Sequence, residues 1–182
     1  MTIVTLEDGE KYHTDVSFSG DGPTRPMPLR DDAPFLNLGT QYIRLRHSTI
    51  DQFGPDVKWW IYEYRNGRDE DWNSYYCFYE IPFIHKDFKV INLYACMEGY
   101  LPKNIVIVGF TRQDGRIVGK TMLINGTVKK NTGGKTETVE ECKTEEERVN
   151  ALQKFFGIVL TPEQKKCIDE RVTKLGEKLL SN

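Results

Sequence analysis

Apolar and polar side chains alternate in short runs through the first half of the chain, and toward its end the spacing lengthens to that of a helix. Residues 2–6 and 11–16 are two β-type runs. Asp8-Gly9 between them tolerates positive φ, so the pattern predicts a β-hairpin. Residues 17–34 hold Gly20, Gly22, Pro23, Pro26, Pro28 and Pro34, too many positions without a backbone donor or with a loose backbone for a central strand, and a long loop is expected. Residues 42–46, 58–65 and 72–81 alternate again and are rich in aromatics, the composition of half-buried strands. Trp59, Trp60 and Trp72 are assigned to packing within them.

Phe88, Ile91 and Ala95 stand at helical spacing, which predicts a short helix over residues 86–95. Alternation then returns in residues 105–112 and 116–124 around Gln113-Asp114-Gly115, and Asn125-Gly126 signals a tight hairpin into residues 127–131. Thr144 followed by Glu147 is a capping box that opens a helix with Val149, Leu152, Phe155 and Phe156 as its apolar stripe and Gly157 as its stop. Thr161-Pro162 starts another, with Ile168, Val172, Leu175 and Leu179 on one face. The expected class is α+β: an antiparallel β-barrel or sheet, then a smaller α/β lid with a C-terminal helical pair. The division falls softly near residues 83–86, giving a β domain over 1–84 and a lid over 85–182.

Charge narrows the choice of partners. Among 182 residues, 25 Lys and Arg face 27 Asp and Glu, a net charge of −2, which gives no electrostatic reason to bind nucleic acid or an anionic membrane. Hydrophobic residues at 38% suffice for a core, yet no apolar run nears the roughly 20 residues of a membrane span. The first residues resemble no secretion leader, so a cytoplasmic location is expected. Cys77, Cys96, Cys142 and Cys167 are scattered, without a C-x-x-C pair, and are expected to be buried or half-buried free thiols. His13, His47 and His85 have no metal-ligand spacing, and no metal is expected.

Spacing alone reveals no reaction: no Gly-rich phosphate loop, H-E-x-x-H or G-x-S-x-G is present. Asp15 ends a predicted strand just before the Gly/Pro loop, where it reads either as a turn cap or as a carboxylate that orients an imidazole. His13 shares its strand face at i, i+2. Ordinary alternation accounts for this, because neighbouring side chains on a strand stand parallel rather than converge.

The segment from Tyr12-His13-Thr14-Asp15-Val16-Ser17-Phe18-Ser19-Gly20 to Pro23, Pro26, Pro28 and Leu29 resembles the D-V-G-F-G…P…P-L stretch of arylamine N-acetyltransferases, in particular fungal-type members. Trp59-Trp60-Ile61-Tyr62-Glu63-Tyr64-Arg65, Trp72-Asn73-Ser74-Tyr75-Tyr76-Cys77-Phe78 with Asp87-Phe88 and Asn92, and Gly119-Lys120…Asn131-Thr132-Gly133-Gly134-Lys135-Thr136 extend the likeness in order along the chain. The resemblance implies the cysteine-protease-like acetyltransferase fold without its N-terminal helical domain, in effect a truncated member. It also implies ping-pong acetyl transfer from acetyl-CoA to a small aromatic amine or hydrazine, a reaction of xenobiotic metabolism, run by a Cys-His-Asp set. Asp15 matches the Asp; the Cys and His would lie ahead of Met1, so this chain alone is expected to be inactive.

By the same resemblance Phe18, with Ser17 and Ser19, lines the acceptor pocket, and Lys129, Lys130 and Lys135 are candidates for CoA phosphates against the simpler reading of a solvated hairpin rim. Ser17 and Ser19 replace glycines of the family pattern, and Glu98 stands where hydroxyls would hold CoA and would repel a pyrophosphate. These departures favour the alternative of a non-catalytic paralogue, a small-molecule or protein binding module. An uncovered apolar face and self-association are expected where the helical domain would pack.

Overall fold

The computed structural model describes residues 1–16, 20–168 and 173–175. They form three antiparallel sheets and a few helices, an α+β architecture divided between two compact units. One unit takes Met1–Pro82 with Phe110–Gly119 and Thr132–Lys135, the other Phe83–Gly109, Lys120–Asn131 and Thr136–Asn182.

In the first unit, β1 (Thr2–Thr5) and β2 (Lys11–Thr14) make the expected hairpin, with Thr2 opposite Thr14 and Thr5 opposite Lys11. The Gly/Pro segment contributes one short strand after all: β3 (Met27–Pro28) pairs His13 with Met27 and Tyr12 with Pro28. It sits at the sheet edge, where a proline's missing N–H breaks no ladder bond. The second sheet runs in the order β4 (Phe35–Leu38), β5 (Gln41–Ile50), β6 (Gly54–Arg65), β7 (Asn73–Phe78). A single 3₁₀ turn, Asp51–Phe53, joins its two long strands.

Alternation decides what this sheet buries. Ile43 and Leu45 on β5, Trp60 and Tyr62 on β6 and Phe78 on β7 join Met27 in one core, flanked by Ile3, Leu29, Phe35, Tyr64 and Tyr76. Trp72 does not join it: its ring lies under the guanidinium groups of Arg44 at 4.1 Å and Arg65 at 4.5 Å.

In the other unit α1 (Phe88–Met97) begins two residues later than the spacing predicts, followed by α2 (Tyr100–Lys103). The third sheet runs β11 (Lys135–Glu141), β10 (Thr127–Thr132), β9 (Arg116–Ile124), β8 (Val106–Gln113). Its Asn125-Gly126 turn needs glycine for a close approach: a Cβ on Gly126 would stand 2.6 Å from the Cys142 carbonyl oxygen.

The capping box at α3 (Glu145–Phe156) is formed in full, Glu147 N–H donating to Thr144 Oγ1, and Gly157 ends the helix at φ 68°. Leu123, Val128, Cys142 and Ala151 form this unit's core with Leu152, Phe155, Phe156 and Leu175 against it. Arg148 is also buried; it pairs with Glu145 and donates to the Thr173 carbonyl at 2.9 Å, so a charge on the inner face of α3 is fully engaged.

Two expectations need correction. The last predicted helix is only five residues among those described, α4 (Pro162–Lys166); Cys167 and Ile168 form the turn that ends it, and Val172 and Leu179 lie outside the described residues. Of the four thiols, Cys142 alone is buried, and Cys77, Cys96 and Cys167 are exposed. No helix among the described residues is long and apolar enough to cross a membrane.

Candidate functional site

Asp15 follows the last residue of β2, and the inward alternation of that strand sets its direction. His13 is fully buried and the Asp15 side chain, two residues on, is 2% exposed. The β1–β2 pairing, carried one step past Thr2 opposite Thr14, brings the start of β1 alongside this carboxylate, and the Met1 nitrogen lies 4.0 Å from Asp15 Oδ1.

Aromatic rings from the second sheet gather around His13, which shares the strand face of the carboxylate. His13 stacks on Phe78 at 5.0 Å between ring centres, and Tyr62 and Tyr76 stack on each other at 4.9 Å. Tyr76 Oη lies 3.1 Å from His13 Nε2 and feels the charge of the Asp15 carboxylate. Burial drives both tyrosine hydroxyls far above the ordinary phenol range, the charge of Asp15 adding to Tyr76 and that of Asp21 to Tyr62, so both stay protonated donors. Burial also lowers the His13 pKa from 6.5 to about 4 against the opposing pull of Asp15, so its ring is neutral near neutral pH.

From Asp21 onward the loop after Asp15 is tied down by side chains of the second sheet. Tyr62 Oη donates to the Asp21 carbonyl at 2.9 Å. Buried Asn37 accepts from the Thr24 amide at 2.8 Å and donates to the Gly22 carbonyl at 3.1 Å and to Gln41 Oε1 at 3.0 Å. Glu80 receives Lys11 Nζ at 2.6 Å and Trp60 Nε1 at 3.0 Å, bonds that hold its carboxyl below the usual range and fix β2 against the chain leaving β7.

Ser17, Phe18 and Ser19 lie outside the described residues. Lys130 is exposed and Lys129 partly so, and as neighbours on β10 they point to opposite faces; Lys135 is exposed at the start of β11. Glu98 caps α1 and is neutralised by Lys103 at 2.9 Å. Cys77, set between Tyr76 and Phe78, presents the opposite face of β7 from the rings around Asp15.

A family model described as N-acetyltransferase matches residues 1–165. The chain belongs to the arylamine N-acetyltransferase family. A curated relative, the N-malonyltransferase FDB2 of Fusarium pseudograminearum, is 28% identical over 93% of this chain and 53% of its own length. The chain thus spans about half the length of the curated relatives it matches.

Among solved structures, the arylamine N-acetyltransferase of Mycobacterium abscessus superposes with a TM-score of 0.73 at 20% identity, over 94% of this chain and 58% of that one. The Mycobacterium marinum enzyme, solved in complex with CoA, gives 0.66 at 17% identity over 86% and 52%. These likenesses establish the arylamine N-acetyltransferase fold.

The sequence singles out Asp15 by its place between strand and loop, and the structure buries it there. Tyr76, Tyr62 and Asn37 carry no local signal, because their partners lie 13 to 63 residues away, while Gln41 meets Asn37 four residues back. His13 was set aside as alternation, which it obeys, yet its ring reaches a different sheet. Its position two residues before Asp15, on the same face of the strand, is the available signal.

Proposed function

We propose that this chain supplies the acid of a Cys-His-Asp N-acyltransferase that moves a short acyl group from acyl-CoA to a small aromatic amine or hydrazine. The observation that carries the reading is the Asp15 carboxylate, withdrawn from water beside the start of β1. The resemblance assigns the thiol and imidazole to residues outside these 182, with the imidazole entering just ahead of β1, so the hairpin delivers Asp15 to that point.

In this reading Asp15 accepts the imidazole N–H, fixes its tautomer and stabilises the imidazolium as the thiol loses its proton. The thiolate attacks the donor thioester; its S–C bond forms while the CoA S–C bond breaks, and CoA leaves as the thiol by taking the proton from the imidazolium. The amine nitrogen then attacks the acyl-enzyme, passes its proton to the imidazole, and the cysteine sulfur departs. The acyl group is acetyl by the family likeness and malonyl by the name of the fungal relatives, so the assay uses both donors. Phe18 with Ser17 and Ser19 is our candidate for the acceptor wall. One of Lys129 and Lys130, together with Lys135, is our candidate for the CoA phosphates, since the two neighbours cannot serve one face.

The experiment joins this chain to the polypeptide that carries the thiol and imidazole and compares Asp15 with Asp15→Asn. By analogy with the tautomer loss in a Ser-His-Asp triad, kcat is expected to fall about 10⁴-fold; turnover within a few-fold of the parent sinks the assignment. The 182-residue chain by itself is expected to transfer neither acetyl nor malonyl, and a thioester trapped on Cys77, Cys96, Cys142 or Cys167 during turnover contradicts this.

The exposed apolar residues of α1, among them Val90, Leu93, Tyr94 and Met97, favour self-association of the isolated chain. Sedimentation that stays monomeric as concentration rises removes that part of the reading.

A further inference from the structure

The first sheet has a second face, turned away from Asp15. Tyr12 and Pro28 stand opposite one another in the β2–β3 register, one position out of step with the pair His13 and Met27, which is buried. On the side of Tyr12 and Pro28 lies an open groove of about 430 Å³, a size typical of small-molecule sites. Its walls are the half-buried rings of Tyr12 and Phe35 together with Pro26, Pro28 and Pro34, three residues with no N–H to offer.

Arg25 is the one charged residue among those that line the groove. Its guanidinium carbon stands 4.4 Å over the centre of the Phe35 ring. The ring attracts the cation without supplying an oxygen acceptor, and the guanidinium makes no hydrogen bond and no ion pair with a described residue. The acids within two residues of the lining set are engaged elsewhere: Glu10 with Arg30 at 2.8 Å, Asp31 with the His47 amide at 2.9 Å, and Asp32 with Arg44 at 2.7 Å. The groove therefore presents a positive charge among apolar walls.

Arg25 is also held from both sides. The Thr24 amide before it donates to Asn37 Oδ1 at 2.8 Å, and Met27 after it is buried in the pairing with His13. Phe35 pairs with Ile43 on β5 and packs against the core of the first unit. A cation anchored in this way needs little further ordering when an anion arrives.

We infer that this groove binds a small aromatic carboxylate, its carboxylate on the Arg25 guanidinium and its ring against the proline and aromatic walls. A planar carboxylate matches two parallel N–H groups of a guanidinium. A single cation suits a monoanion rather than a phosphate ester with two charges, and the walls account for the ring. The inference stands apart from the acyl-transfer reading, because Asp15 shares the strand face of His13 and not that of Tyr12.

The test titrates benzoate, benzamide and acetate into the ¹⁵N-labelled 182-residue chain and follows the amides of Tyr12, Arg25, Ala33 and Phe35. Benzoate is expected to move these amides together and to saturate in the millimolar range of so small a ligand in an open groove. Benzamide keeps the shape without the charge, and acetate the charge without the ring; each should bind about tenfold more weakly than benzoate. Arg25→Gln, a change at an exposed position, should weaken benzoate about tenfold and leave benzamide where it was.

Benzamide or acetate binding as tightly as benzoate overturns the inference, as does an unchanged benzoate affinity in Arg25→Gln. Shifts confined to the face of His13 and Asp15, or no saturable shift at the groove amides, overturn it as well. If Arg25→Gln does not fold, the three ligands on the parent chain decide.

Discussion

Acidification should destabilise the first unit through one side chain. His13 has its pKa lowered by burial from 6.5 to about 4, so between these values the unfolded chain binds a proton that the folded chain refuses. The sign follows: the contribution of the neutral ring is complete above pH 6.5 and is lost as pH falls toward 4. At 1.36 kcal/mol per unit, a gap of about 1.5 units at pH 5 costs about 2 kcal/mol of folding stability.

The assay is urea unfolding of the chain and of His13→Gln at half-unit steps from pH 7.5 to 5. Gln keeps a donor toward Tyr76 and cannot titrate, so the difference between the two curves isolates the imidazole from every other acid and base. The parent is expected to lose about 2 kcal/mol more than the variant by pH 5. Parallel curves across that interval refute the reasoning, since they require a ring that protonates as readily folded as unfolded.

Four further outcomes are expected. Gly126→Ala drives a Cβ to 2.6 Å from the Cys142 carbonyl and should cost about 1–3 kcal/mol in urea unfolding. Thr144→Ala removes the acceptor of the Glu147 amide, and about 1 kcal/mol should be lost, with α3 fraying first in hydrogen exchange at Glu147. Asn37→Ala leaves the Gly22 carbonyl and the Thr24 amide without their partner; a loss of about 1–3 kcal/mol and faster exchange at Thr24 are expected, and unchanged exchange contradicts the role given to Asn37. Arg148→Met should cost more than a surface change, about 3 kcal/mol, because it strips a buried partner from Glu145; a neutral result shows that water replaces the guanidinium.

The parts of this fold that sequence makes visible are those whose signal is local. The long strands β5, β6 and β9 carry clear alternation, the hairpin at Asp8-Gly9 and the turn at Asn125-Gly126 carry turn chemistry, and Thr144 with Glu147 spells out a helix start. β11 is hidden because Lys-Thr-Glu-Thr-Val-Glu-Glu lies almost wholly exposed at a sheet edge, where no buried face imposes a period. β4 is hidden because a buried Asn37 interrupts the apolar pattern of four residues. At the candidate site Asp15 was marked by its place between strand and loop. Its neighbours were not, because Tyr76 reaches His13 from 63 residues away and no spacing rule encodes such a contact.

The clamp on the segment after Asp15 grips main-chain atoms: Tyr62 holds the carbonyl of residue 21 and Asn37 the carbonyl of residue 22 and the amide of residue 24. The grips on residues 21 and 22 do not read side-chain identity, whereas Thr24 adds its own hydroxyl to Asn37 Oδ1 at 2.8 Å. A library built on this frame would therefore keep Thr24 fixed, because its hydroxyl is part of the grip.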